Sequence, residues 1–312
     1  LYIMRSSHNE TIKSEIVNLL MKHGTQEDIS YDYVETPLYW AIFHSNIAIA
    51  KLLIENGANL TLQHPSKETL LHCAVYHMSP GEKQKEMVNI LIEKGAEVDL
   101  QDEDGHTPLH LAILENNTEM TETLLSKGAN PNIANNEKDS PLHCALRFID
   151  DCEKQENRQK QEEIVQQLLA KEVAINSTGA KGNTPLHCAL ERGRNKIAKL
   201  LLESGADPNL HNDDGDSPLH CALRLMEEAE EMMAIVERIL LKQENLNSIG
   251  SDGFSYLCSA LKKTKLSIAK ILIECGADVN LPGANKETPI QCAINSIEDE
   301  EDLRTIIELM LH

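Results

Sequence analysis

The sequence predicts an all-α solenoid of stacked helix-turn-helix units, and three features predict it. A short phrase opening on Thr or Ser recurs eight times. A second apolar stretch with the i, i+3, i+4 spacing of an amphipathic helix follows each phrase. The link from the end of that stretch to the next phrase keeps one length throughout. At 312 residues the chain would otherwise suggest two globular domains of roughly 150 residues each. In an array whose units touch only their neighbours, length counts units instead.

The phrase reads TPLYWAI from Thr36, TLLHCAV from Thr69, TPLHLAI from Thr107, SPLHCAL from Ser140, TPLHCAL from Thr184, SPLHCAL from Ser217, SYLCSAL from Ser255 and TPIQCAI from Thr288. Thr or Ser caps a helix N-terminus, Pro is preorganised for the first turn, and the Leu and Ala behind them face a core. Each phrase therefore opens a first helix. The second stretch, as in IAKLLIENGAN from Ile49 or IAKLLLESGAD from Ile197, makes a second helix that ends on a Gly suited to a left-handed cap. These caps are Gly24, Gly57, Gly95, Gly128, Gly205 and Gly276, with Glu172 and Gln243 as departures, and each stands twelve positions before the next anchor. Within that link, Gly105, Gly182, Gly215 and Gly253 sit two before the anchor, where a tight turn wants positive φ. Val34, Lys67, Lys138 and Lys286 replace them elsewhere, which predicts differently built tips.

The eight phrases resemble the T-P-L-H-x-A signature of ankyrin repeats, and the resemblance covers essentially the whole chain. It implies an ankyrin-repeat solenoid whose links are β-hairpin fingers. The expected organisation is a single array over 1–312, with a partial repeat over 1–35 and repeats starting near 36, 69, 107, 140, 184, 217, 255 and 288. Both ends fall inside repeats, as expected of a piece of a longer array.

Anchor to cap takes 21 steps from Thr36, Thr107, Thr184 and Ser255, but 26 from Thr69 and Ser217 and 32 from Ser140. Every second unit thus carries an insertion: YHMSPGEKQKE, RFIDDCEKQENRQKQEE, RLMEEAEEMM and, in the last unit, NSIEDEEDLRT. These segments are rich in helix formers, which predicts extra turns on both helices of the pair. The resulting hairpins would protrude along one edge, roughly 20 Å apart at ordinary helix spacing, with Ser79–Gly81 at one tip. They suit a second binding ridge, and equally a tolerated surface elaboration, because longer loops cost little entropy. The alternation is also similar to that of poxviral, endosymbiont and parasitoid ankyrin proteins that engage host factors. That likeness implies an alternative role as the targeting arm of a larger effector or toxin.

Net charge is -21, from 29 Lys plus Arg against 50 Asp plus Glu, which argues against nucleic acid as a partner. An acidic surface steers in a basic protein segment, although it also serves plain solubility. No stretch approaches the 18 or so apolar residues of a membrane span, and the first residues lack the order of a signal peptide. Eight cysteines spread about one per repeat fit a reducing intracellular compartment, cytoplasmic or nuclear.

The His-Cys pairs at His72, His143, His187 and His220 suggest zinc by residue type, but adjacent helical residues point about 100° apart and successive pairs lie a repeat apart. In ankyrin families this His is a structural hydrogen-bonding residue, and Cys beside it acts as a small apolar group. No catalytic motif or phosphate loop is present, so neither an enzyme, a metal, a cofactor nor a small-molecule ligand is expected. Tyr31, Tyr33, Tyr39, Trp40 and Phe43 cluster in a chain with 3% aromatics and read either as interface anchors or as core filling between repeats. The family resemblance implies a protein-protein interaction module whose contacts fall on the fingertips and the exposed ends of the first helices. Beside Tyr31, those positions are Tyr33, Phe43, Glu103, Asp104, His106, Leu114, Glu115, Lys181, Asn183, Asp213, Asp214, Asp216, Arg224, Phe254 and Lys262. A basic or mixed segment lying along them is the expected partner.

Overall fold

The computed structural model describes residues 36–147, 155–224, 230–242 and 245–311. The partial first repeat, with Tyr31, Tyr33, Gly24 and Val34, lies outside the described residues, as do Gln243 and the middles of two insertions. The chain forms two compact units, residues 1–173 and 174–312. The first contains the helix pairs α1 (Pro37–Phe43) and α2 (Ile47–Glu55), α3 (Leu70–His77) and α4 (Glu82–Glu93), α5 (Pro108–Leu114) and α6 (Thr118–Ser126), and α7 (Pro141–Arg147) and α8 (Gln155–Leu169). The second contains α9 (Pro185–Glu191) and α10 (Asn195–Glu203), α11 (Pro218–Arg224) and α12 (Glu230–Leu240), α13 (Tyr256–Lys262) and α14 (Leu266–Glu274), and α15 (Pro289–Ser296) and α16 (Glu300–Leu311).

Each first helix starts where its anchor caps it. The Thr36 hydroxyl accepts from the Tyr39 N–H at 3.2 Å, and Thr69, Thr107 and Thr184 complete reciprocal capping boxes with the His three residues on. In each unit, first helices pack on first helices and second helices on second helices, giving two layers. The alanine five residues after each anchor, from Ala41 to Ala293, has no exposed surface in any of the eight repeats. A larger side chain there would hold neighbouring first helices apart, which is why the phrase keeps Ala.

Second helices close as the sequence predicts. Gly57, Gly95, Gly128, Gly205 and Gly276 all take positive φ, and the residue after each donates back across the end of the helix, as Ala58 does to the Leu53 carbonyl at 3.0 Å. At Glu172 that closure is absent and Val173 donates instead to Lys171 at 2.7 Å, a tighter turn that needs no left-handed residue. Short repeats turn between their helices through a left-handed residue nine after the anchor: Ser45, Asn116, Gly193 and Thr264.

The insertions differ from expectation in one respect. In the repeats of Thr69 and Thr288 the added length goes mainly to the second helix, since α4 and α16 have 12 residues where short repeats have 9, while α3 and α15 have 8 residues against 7. A buried glutamine ties the longer helix down. Gln84 donates from Nε2 to the carbonyls of Ala74, Val75 and Met78, capping the end of α3, and Gln161 donates to the Ala145 carbonyl at 2.6 Å. Ser79–Gly81 lies in the turn between α3 and α4.

Candidate protein-binding surface

The surface is built from the twelve-residue links. Seven of them carry the same five-residue turn, in which the first N–H donates to the fifth carbonyl and the fourth N–H to the first carbonyl, as from Asp102 to His106 and from Gly105 to Asp102. Ile249 and Ser255 form an antiparallel bridge, and no longer strand occurs among the described residues. The fourth residue is left-handed in every case, including Lys67 at φ 60°, Lys138 at 68° and Lys286 at 62°. The lysine tips are therefore built like the glycine tips, contrary to expectation. Where Asp102, Asn135 and Asn212 open a turn, their Oδ1 accepts two further N–H groups and offsets the left-handed strain. Successive tips are bonded to each other: Glu103 donates to the Ser66 carbonyl, Asn136 to Asp104, and Asp213 to Lys181.

Histidine joins finger to helix. In His72, His110 and His187, Nδ1 accepts from the anchor N–H at 3.1–3.2 Å, and Nε2 donates to the last carbonyl of the next finger at 2.9–3.3 Å. That network fixes the neutral Nε2–H tautomer. Burial pushes His110, His187 and His220 down to about 4, and His72 is lowered by the same cause. The thiols of Cys73 and Cys221 are pushed well up, again by burial first. Among the described residues no group of His, Cys, Asp or Glu is placed to hold a metal.

In five repeats the residue before the anchor and the one seven after it form a pair, eight apart in sequence, at the floor of the finger. Asp139 meets Arg147 at 2.7 Å, Asn183 donates to Glu191 at 3.2 Å, Asp216 pairs with Arg224, Lys262 lies 4.0 Å above the Phe254 ring, and Asn295 donates to Glu287 at 2.9 Å. Lys262 also reaches Glu287 of the next repeat at 2.8 Å. Burial alone would raise the Asp216 carboxyl, but the Arg224 guanidinium and the N–H and hydroxyl of Ser251 outweigh it and hold it below the usual carboxylate range.

This pairing sorts the expected contact residues. Glu103, Asp104, Lys181, Asp213 and Asp214 are exposed at fingertips, and Glu115, Arg224 and Lys262 are exposed at first-helix ends. Phe43, His106, Leu114 and Phe254 are half-buried, with His106 accepting from Asn135 at 3.1 Å. Two expectations are corrected. Asn183 is 6% exposed and accepts from Asn212 at 2.8 Å, and Asp216 is fully buried, so both are internal struts and not contact residues. Tyr39 is buried, as the core reading has it, and Trp40 is half-buried. Sequence reasoning missed Tyr76, 55% exposed at the end of α3, and the partners Glu191, Glu287 and Asn295. The signal was present, because the nonapeptide DSPLHCALR stands unchanged at 139–147 and 216–224, with its charges at its two ends.

The fold and this surface define a repeat scaffold whose buried polar groups join neighbouring repeats within each unit and leave the fingertips exposed. A profile of ankyrin repeats in three copies matches residues 3–102, 71–154, 155–235 and 204–282, and the chain belongs to the ankyrin-repeat family. A protein of fowlpox virus named as an ankyrin repeat protein is 30% identical over 102 residues, 33% of this chain and 16% of that protein. Human transient receptor potential cation channel subfamily A member 1 is 33% identical over 88 residues, 28% of this chain and 7% of the channel. Its Caenorhabditis elegans homologue is 27% identical over 108 residues, 35% and 8% of the two chains. The match therefore spans 16% or less of these relatives. Among solved structures, the ankyrin repeat domain of Bcl-3 aligns over 89% of this chain and 100% of its own, with a TM-score of 0.57 and 22% identity, and so shares the fold.

Proposed function

We propose that the chain is a protein-interaction module that captures a basic segment of a partner along its fingers and first-helix ends. Ankyrin repeats generally serve protein-protein interaction. The observation that carries the basic partner is the exposure of Glu103 and Asp104 on one finger and Asp213 and Asp214 on another, while Asp216 at the floor of the second is already paired with Arg224. Exposed acids that the stack does not use are available to a cationic ligand and raise its encounter rate. A non-catalytic role fits the same geometry, because the histidines are committed to capping and the thiols of Cys73 and Cys221 are kept protonated. Six buried thiols suit a reducing compartment inside the cell.

The test is a crosslinking pull-down from native cells with the fingertip acids Glu103, Asp104, Asp213 and Asp214 reversed to Lys. Loss of the captured partner, and its loss from the native chain in roughly 0.5 M salt, is expected. Capture unchanged by both treatments refutes the acidic surface.

A further inference from the structure

The chain has ten aromatic residues of the Phe, Trp and Tyr types, and four of them, Tyr39, Trp40, Phe43 and Tyr76, gather at the ends of α1 and α3. Two imidazoles complete the cluster. Trp40 stacks on His44 at 5.5 Å between centroids, Phe43 lies 5.4 Å from Trp40 and 4.7 Å from His77, and His77 lies 5.0 Å from Tyr76. Tyr39 is buried beneath, but Tyr76, His44 and His77 are exposed and Phe43 is half-exposed. Phe43 and Tyr76 stand seven after their anchors, the position filled by Glu191, Arg224, Lys262 and Asn295 in four later repeats. In those repeats the same position meets a polar or cation–π partner from the finger, whereas here it carries a ring face.

Glu68, half-buried, stands one before the Thr69 anchor and eight before Tyr76, the register in which Asp139 meets Arg147 and Glu287 meets Asn295. A carboxylate in finger register with the exposed Tyr76 ring, on a chain of net charge -21, matches one side chain best. The guanidinium of arginine stacks flat on an aromatic face while its N–H groups bind a carboxylate in the same plane, which the compact, strongly hydrated ammonium of lysine does less well. We infer that the Trp40, Phe43, Tyr76 and His77 cluster is the anchor site for an arginine of the basic partner segment, with Glu68 as its counter-ion. This rests on the proposed capture of a basic segment, and it names the residue and the place.

Trp40 is the single tryptophan, so its fluorescence reports the site directly. The probes are blocked hexa-arginine and hexa-lysine peptides, with total binding followed by calorimetry. Hexa-arginine should change Trp40 emission saturably. Its affinity should fall about tenfold in Tyr76→Ala and in Glu68→Gln and recover in Tyr76→Phe, and hexa-lysine should bind several-fold more weakly. Tyr76 is exposed enough for its truncation to leave the fold intact, which circular dichroism checks. Hexa-arginine binding that leaves Trp40 silent, or ignores both substitutions yet falls when Asp213 and Asp214 are neutralised, overturns the anchor and leaves the fingertip role standing. Equal binding of the two peptides overturns the choice of arginine. Failure of both peptides to bind overturns the anchor and the basic partner together.

Discussion

At the residue scale, the array rests on polar groups that work only in one protonation state. His110, His187 and His220 titrate near 4 in the folded chain because burial disfavours the cation, and near 6.5 once unfolded. The unfolded chain therefore binds more protons between those two values. Stability contributed by these residues is complete above pH 6.5 and is lost as pH falls towards 4, by up to about 3 kcal/mol for each histidine. Thermal melting from pH 7 to 4.5 should show a steep fall in Tm. The last repeat supplies a control, for there Gln291 stands at the histidine position and its Oε1 accepts the Thr288 N–H at 2.9 Å. His187→Gln should cost about 1 kcal/mol at pH 7, for the lost bond to the Asp216 carbonyl, and should flatten the acid limb. An unchanged acid limb would place the titration elsewhere. Asp216 has the opposite polarity. It is buried and charged, so Arg224→Ala strands its carboxylate on Ser251 alone and should cost about 2 kcal/mol in urea unfolding, whereas Asp213→Ala on the exposed tip should cost almost nothing.

At the element scale, the fingers separate backbone strain from steric fit. A β-carbon at Gly105 would meet the Asn136 N and Oδ1 at 2.7 Å, while one at Gly215 would meet nothing within 4 Å, and both glycines have positive φ. Gly215→Ala should cost only the left-handed strain, about 1 kcal/mol, and Gly105→Ala clearly more because it also parts two fingers that are bonded together. Equal losses in denaturant melts would show that the packing of finger on finger carries no energy. The same comparison explains what the sequence could convey. Caps, anchors and alanines are short-range requirements, and spacing alone places them. The lysine tips were misjudged because a single residue type does not reveal that Asn135, three positions earlier, makes a left-handed Lys138 affordable through two side-chain bonds. The repeats of Thr69 and Thr288 lengthen mainly their second helices, whereas helix propensity divides extra residues evenly between the two. It carries no trace of a buried glutamine that anchors the second one to the carbonyls of the first.

At the scale of the molecule, the contact residues were legible as positions and not as states. Asn183 and Asp216 occupy the finger register that the family likeness implies, yet both face inward, because the partner of each lies eight residues on or in the next repeat. What remains outside among the expected tip residues is Glu103, Asp104, Asp213 and Asp214 against Lys181, and this acidic excess bears on kinetics. A charge excess spread over exposed fingers attracts a basic ligand from beyond contact range, over a Debye length of about 10 Å at 0.1 M salt. An arginine held on aromatic rings is stabilised at short range and is screened much less. Raising the salt from about 0.05 to 0.5 M should therefore slow association of an arginine-rich peptide by roughly tenfold or more and change its dissociation far less. Neutralising Asp213 and Asp214 should reproduce the slower association at low salt, while Tyr76→Ala should leave association alone and speed dissociation. Stopped-flow measurement of both rates separates these effects. If salt acted mainly on dissociation, the acids would be contact residues in their own right, and the division of labour between steering fingertips and an aromatic anchor would be wrong.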